Sequence, residues 1–309
     1  LYVDRESMIR ELPQELQGAT MIRTLRENRY VGRLLGILLL TRHKCTPAPD
    51  QIVLSWENDP STTQTITWRT GPTVTKSKVK FQEKRLFHSF ESIAPNTSSA
   101  QTTELVTDDI VNDPVNNRHT VTLKNLKPAT TYVYSVGDEG GENWSAMNEF
   151  TTAPAGIEPF SFMYLGDAQN GLDRWGSLMQ TAHRMRPDMA FILMAGDLVN
   201  RGAQRDDWDD FFYNASTNFS TKPLMGAIGN HEYHGGFPEL YLKLLAHPQN
   251  GAPTIEPERS YWFEYSNALF VILDSNKDVE KQTAWLDEVL KNSNATWKFA
   301  MFHHPAYSS

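Results

Sequence analysis

The chain has 309 residues, is 39% hydrophobic and carries a formal net charge of −8, enough apolar material for a sizeable core and enough length for two domains. That acidic balance, with no block of like charge, gives no electrostatic footing for a nucleic-acid-binding surface, so nucleic acid is excluded as a partner except as a substrate. The single cysteine, Cys45, excludes an internal disulfide and dithiol redox chemistry.

In chain order, residues 1–48 read as an N-terminal appendage with helix-compatible spacing, as in "ESMIRELPQEL", and no domain signature. The longest apolar run, Leu34 to Leu40, is too short to cross a bilayer as a helix, and no transmembrane segment is expected. Arg23, Arg26, Arg29 and Arg33 precede that run as in a signal peptide. "TRHK" follows where a small-residue cleavage site belongs, so a packed segment is the preferred reading. A first residue other than Met and the abrupt end at "HHPAYSS" lead us to expect a fragment at both ends. Sequons at Asn96, Asn143, Asn214, Asn218 and Asn294 matter only in a host that secretes and glycosylates the protein.

Residues 49–155 change to short strand-like runs between turn clusters: "QIVLSW", "QTITWRT", "SKVKFQ", "RHTVTLKNL", "TYVYSVG" and "MNEFTTAP". This is a β-sandwich rhythm. "LKNLKPATTYVYSV" resembles the strand pair that carries the tyrosine corner of fibronectin type III domains, with Tyr132 placed to bond upstream backbone and Trp68 in the core.

Residues 156–309 alternate apolar strands with amphipathic helices: "FSFMYLGD", "RWGSLMQTAHRMRPD", "MAFILMAGD", a polar helical stretch and "KPLMGAIGN". A hairpin in "YWFEYSNALFVILDS", a helix in "KQTAWLDEVLKN" and a strand in "WKFAMFHHP" follow. The pattern indicates βαβ units on a buried sheet. The fold class is therefore a multidomain chain, an N-terminal β-sandwich followed by an α/β sandwich that is incomplete at its C-terminus.

"YLGDAQNG", "LMAGDLVNRG" and "AIGNHEYHGG" share one design, a strand that runs into Gly and then Asp or Asn. Loops past the carboxyl ends of strands face one crevice in open α/β sheets, so Asp167, Asp197, Asn230 and His303 are expected to converge there. Two carboxylates, an amide oxygen and an imidazole suit Zn, Mn, Fe or Mg. The preceding glycines are expected to let the backbone turn sharply toward that site. One such junction is often only a turn; three, followed by a strand that ends in His-His-Pro, point to a metal site.

As a set, "GDAQ", "GDLVNRG", "GNHE" and "FHHPAYSS" resemble the first four motifs of the calcineurin-like metallophosphoesterases. With a fibronectin-like sandwich in front, the chain is similar to the purple acid phosphatase branch from about Pro49 to Ser309. The resemblance implies two metal ions bridged by Asp197, with Asp167 on the first and Asn230 and His303 on the second. It implies that His231 contacts the phosphate and helps to protonate the leaving group. Such a centre polarises phosphoryl oxygens and supplies hydroxide for in-line attack. Glu232 would orient a neighbour from outside the ligand set, or else be a surface carboxylate. The family also implies a secreted, periplasmic or cell-surface protein acting on a small phosphorylated substrate.

Several departures qualify the carry-over. Purple acid phosphatases place a tyrosine three residues after the second-motif aspartate, and its phenolate on ferric iron gives the colour; here that position is Asn200, so a colourless enzyme is expected. Other branches place a histidine two residues after the first aspartate, and here Gln169 stands there. The missing ligand is replaced by Asn200, Gln169 or water. The family's fifth motif, Gly-His-x-His, should lie beyond the fourth, and the sequence stops at Ser309 before it. His304 should point away from the site in a strand that presents His303. His234 reads as a rim or substrate-side group. His43, His88, His119, His183 and His247 are poorly placed for ligation. Arg201 is the best candidate for a phosphate contact because a guanidinium can meet phosphate oxygens in a fork, and Tyr233 and Tyr307 are further pocket candidates. The leading reading is an acid phosphatase-like phosphomonoesterase. Its alternatives are a phosphodiesterase, a catalytically inactive relative that binds ligands, and an adhesion-type module.

Overall fold

The computed structural model describes residues 44–90, 94–107, 110, 113–141 and 143–307. The expected appendage over 1–48, with His43 in it, lies through residue 43 outside the described residues. Cys45–Ser309 form one compact unit.

Among the described residues, eight strands build the sandwich. β1 (Asp50–Ser55), β2 (Gln64–Thr70), β6 (Val115–Leu123) and β5 (Gln101–Val106) form one sheet in that spatial order; β4 (Asn96–Ser99), β3 (Ser77–Glu83), β7 (Thr131–Asp138) and β8 (Asn148–Thr151) form the other. All pairings are antiparallel. Alternate residues point inward from each sheet, and Leu54, Ile66, Trp68, Val79, Tyr134, Val136 and Phe150 make a core of buried rings and branched chains. The tyrosine corner is present: the Lys127 N–H donates to the Tyr132 hydroxyl at 2.9 Å. Trp68 is fully buried and donates to Ser77 Oγ at 3.0 Å. Sequence reading missed β4 and β5. Both are edge strands, mostly exposed and rich in Ser, Thr and Asn, so they carry little of the apolar alternation by which strands are read.

The second half is a two-sheet α/β layer. β9 (Met163–Leu165), β10 (Ile192–Met194) and β11 (Leu224–Gly226) are parallel, with β10 central. β12 (Tyr261–Tyr265) pairs antiparallel with β13 (Ala268–Ile272), and β13 pairs parallel with β14 (Trp297–Met301). The two-residue period of β10 divides its side chains. Phe191, Leu193 and Ala195 pack with Tyr261, Phe263, Phe270 and Ile272 of the second sheet. Ile192 and Met194 face a different cluster. There they meet α1 (Leu172–Met185) through Trp175 and Met179, and α2 (Arg205–Asn214) through Trp208, Phe211 and Phe212. These spacings of three and four residues put each apolar set on one helical face. The helices α3 (Ser216–Phe219), α4 (Glu239–Leu244) and α5 (Val279–Asn292) complete the layer.

The sandwich and α2 share a buried ionic seam. Arg69 pairs with Asp50 at 2.6 Å and with Asp209 at 2.7 Å, and Arg205 pairs with Asp113 at 2.7 Å. Arg118 donates to the Leu244 carbonyl at 3.0 Å. Among the described residues, no helix is long and apolar enough to cross a membrane.

Candidate metal centre

The parallel register sets Leu165, Met194 and Gly226 side by side, so the turns after β9, β10 and β11 open on one edge. Three of the four expected groups follow strands of this sheet; His303 arrives from the second sheet, where β14 runs parallel to β13. The packing of the two sheets brings its strand end alongside the other three. One ligand atom from each of Asp167, Asp197 and His303 lies within 4.8 Å of the others. His303 Nε2 is 3.3 Å from Asp197 Oδ1 and 3.0 Å from Asn230 Oδ1.

Both aspartates hold left-handed backbone, φ 55° at Asp167 and 53° at Asp197. Asp tolerates this conformation better than most residues, yet it costs on the order of 1 kcal/mol each and persists only where the surroundings over-determine it. Here they do: the Asp167 N–H donates to the Gly196 carbonyl at 3.2 Å, and the Asp197 N–H to Glu232 Oε2 at 2.9 Å. Gly196, at φ 86°, has no room for a side chain, since a Cβ would stand 2.9 Å from His303 Nδ1. At Gly229 a Cβ would stand 2.2 Å from Asp197 Oδ1. Gly166 differs. Its nearest neighbour would be Ala195 Cβ at 3.5 Å, an ordinary contact. The sharp turn expected of that glycine is made by Asp167 itself.

Hydrogen bonds aim each group. His303 Nδ1 donates to the Ala195 carbonyl at 2.8 Å, which leaves the Nε2 lone pair facing the carboxylates. Gln169 Nε2 donates to Asp197 Oδ2 at 3.2 Å. The His231 N–H donates to Asp197 Oδ1 at 2.9 Å, while its ring Nδ1 donates to the Asn200 carbonyl at 2.7 Å. That puts His231 Nε2 on the site side, 3.7 Å from Asp197 Oδ2. His234 Nδ1 donates to the same carbonyl at 3.0 Å, and the two rings lie 4.2 Å apart. It is thus the backbone of Asn200 that both histidines use.

Glu232 is buried, which removes the reading of it as a surface carboxylate. Oε2 accepts from the N–H groups of Asp197 and Gly229, at 2.9 and 2.7 Å; Oε1 accepts from Leu198 and Val199, at 2.8 and 3.3 Å. One side chain therefore holds the loops after β10 and β11 together. Burial pushes its carboxyl up to about 7, against the pull of those N–H groups.

Arg201 turns its guanidinium to Asp206 and Asp207, and Tyr307 stands 95% exposed. His304 meets Ser275 Oγ at 2.9 Å. His119 is buried between Thr70 and Thr102, at 2.8 and 2.9 Å, and burial depresses its pKa to about 4. Sequence reading missed Asp274 and Asn276, which bond the loop after β11, Ser275, which bonds His304, and Arg259, which bonds Asp274. A signal existed: "FVILDSN" is another apolar run that ends in an acid.

This donor set fits a metal. Carboxylates, amide oxygens and one imidazole are hard to borderline ligands. Gln169 Oε1, next to the carboxylates, is buried without a hydrogen-bond partner, and a cation would satisfy it.

Comparison with known proteins agrees in kind. The family model "Purple acid Phosphatase, N-terminal domain" matches residues 49–152, and "Calcineurin-like phosphoesterase" matches 160–309. The chain is 28% identical over 207 residues to purple acid phosphatase 21 of Arabidopsis thaliana, covering 62% of this chain and 44% of the relative. It is 26% identical over 277 residues to acid phosphatase type 7 of Mus musculus, covering 84% and 60%. It thus spans about half the length of the curated relatives it matches. Purple acid phosphatase PPD1 of yellow lupin (Lupinus luteus) shares the fold, with a TM-score of 0.69 at 18% identity over 85% of this chain and 52% of that one.

Proposed function

From the premise that this chain joins a purple acid phosphatase N-terminal domain to a calcineurin-like phosphoesterase domain, we propose that it hydrolyses phosphate monoesters at a two-metal centre. The observation that supports this most is the gathering of Asp167, Asp197 and His303 within 4.8 Å, with Asn230 against His303. Asp197 would hold both ions, since its Oδ1 faces His303 and its Oδ2 faces Gln169 and His231. Asp167 would hold the first ion, and Asn230 and His303 the second. Gln169, with its partnerless oxygen, takes the first-ion position that a histidine fills in other branches. When bound, the ions polarise the phosphoryl oxygens and lower the pKa of a water toward neutrality.

The chain's own groups orient substrate and move protons. His231 is held by its Nδ1, so Nε2 is the atom that, with the ring as imidazolium, gives a proton to the leaving-group oxygen. His234 stands beside it as a second contact for the phosphate. Glu232 holds the two loops that carry Asp197 and Asn230. We take 49–155 and 156–309 as the domain limits, a small phosphorylated compound as the substrate, and a secreted, periplasmic or surface location.

The test uses the full chain loaded with Mn²⁺ and two reporter esters, p-nitrophenyl phosphate and bis(p-nitrophenyl) phosphate. Turnover of the monoester that is lost in Asp197→Ala is expected. Turnover of the diester alone would replace the reading with a phosphodiesterase, and a fully active Asp197→Ala would sink the metal-centre assignment.

A further inference from the structure

Three consecutive residues after β13 each reach a different part of the proposed centre. Asp274 Oδ2 accepts from the Tyr233 hydroxyl at 2.6 Å, three residues past Asn230. Ser275 Oγ bonds both the N–H of His304, at 3.1 Å, and its ring Nδ1, at 2.9 Å. Asn276 Nδ2 donates to the carbonyl of Ile228 at 2.9 Å, two residues before Asn230. The loop that carries Asn230 is thus held on both sides and the strand end that carries His303 is held next to it, all from one tripeptide.

The tripeptide is itself fixed. Asp274 is fully buried. Its Oδ1 accepts from the N–H and side chain of Asn276, at 2.8 and 3.0 Å, and its Oδ2 also accepts from Arg259 Nε at 2.9 Å. Its backbone N–H and carbonyl are both bonded by Gln282 of α5, at 3.0 and 2.8 Å. Arg259 in turn pairs with Asp278 at 2.9 Å. A network with this many satisfied buried groups has one geometry, because any other arrangement strands a donor or a charge.

We propose that Asp274–Ser275–Asn276 is a clasp of positioning residues that sets the 3.0 Å spacing of Asn230 and His303 and so holds the affinity of the second metal ion. This rests on the metal-centre reading above. Asp167 lies on the loop after β9, which none of these bonds touches, so loosening the clasp acts on one ion rather than both. Partners that orient metal ligands are worth roughly 10- to 100-fold in affinity.

Mn²⁺ titration of the full chain, followed by electron paramagnetic resonance, counts bound ions and distinguishes an isolated ion from a coupled pair. For the double variant Ser275→Ala/Asn276→Ala we expect one ion bound as in the wild type, the other weakened about tenfold, and loss of the coupled signal. Ser275→Thr, which keeps the hydroxyl, combined with native Asn276 should restore it. Tyr233→Phe removes only a hydroxyl and should weaken the same ion without unfolding the protein. Unchanged binding of both ions in all variants overturns the clasp, as does equal weakening of both with a falling melting temperature, which marks a merely structural role. A wild-type chain that binds no Mn²⁺ overturns the centre, and the clasp with it.

Discussion

Replacing Gly229 by alanine tests how closely the loops of the centre approach each other. The new Cβ would stand 2.2 Å from Asp197 Oδ1 and 2.3 Å from Asp197 N, where ordinary contacts begin at 3.4 Å. Either the carboxylate or the loop after β11 has to move by roughly 1 Å, a displacement that typically costs about 100-fold in rate. The same shift pulls Asp197 N from Glu232 Oε2, now 2.9 Å away. Overpacking adds a stability loss of about 1–3 kcal/mol. Gly166→Ala is the control, because its Cβ would meet Ala195 alone, at 3.5 Å or more; it should stay within about 0.5 kcal/mol of the parent. Calorimetric Mn²⁺ titration, monoester turnover and urea unfolding of both variants measure these effects. A Gly229→Ala chain that takes up Mn²⁺ like its Gly166→Ala counterpart would refute the reasoning.

Loading the protein with ferric iron should give no visible charge-transfer band, because Asn200 stands where a tyrosinate would bind; an absorption band in the visible would contradict this. His119 is neutral in its buried site, with a pKa of about 4 against 6.5 in an unfolded chain. The unfolded state binds the extra proton, so the stability His119 contributes is complete above pH 6.5 and falls as pH drops from there toward 4. Between pH 7 and 5 the loss is about 2 kcal/mol, and His119→Gln should flatten the pH dependence of the unfolding free energy, measured in urea, by that amount. Arg205→Met leaves Asp113 buried without its guanidinium and should destabilise the chain by about 3–5 kcal/mol in urea unfolding. A change below 1 kcal/mol would show that the seam between sandwich and α2 carries little stability.

The clasp shows why part of the site escaped sequence reading. "LDSN" differs little from a turn, and only its partners mark it: Tyr233, His304 and Ile228 are 41, 29 and 48 residues away in the chain. From sequence Glu232 reads equally as an orienting group or a surface one, because a charged residue in a polar loop gives no sign of burial. Its four backbone donors come from segments that meet only after β10 and β11 pair. The edge strands β4 and β5 escaped because solvent-facing strands lose the apolar period.

What the sequence alone determined was local and periodic. Two-residue alternation announced the sandwich, the tyrosine-corner spacing placed Tyr132, and apolar runs ending in Gly-Asp or Gly-Asn singled out Asp167, Asp197 and Asn230. Those signals are legible because a strand or helix period and a turn residue are properties of neighbours in the chain. Tertiary structure decided the rest: that His303 enters from the second sheet, that Asp167 rather than Gly166 bends its turn, and that Asn200 serves through its carbonyl. Each depends on distances between segments far apart in sequence, which exist only once the two sheets have packed and excluded water from between them.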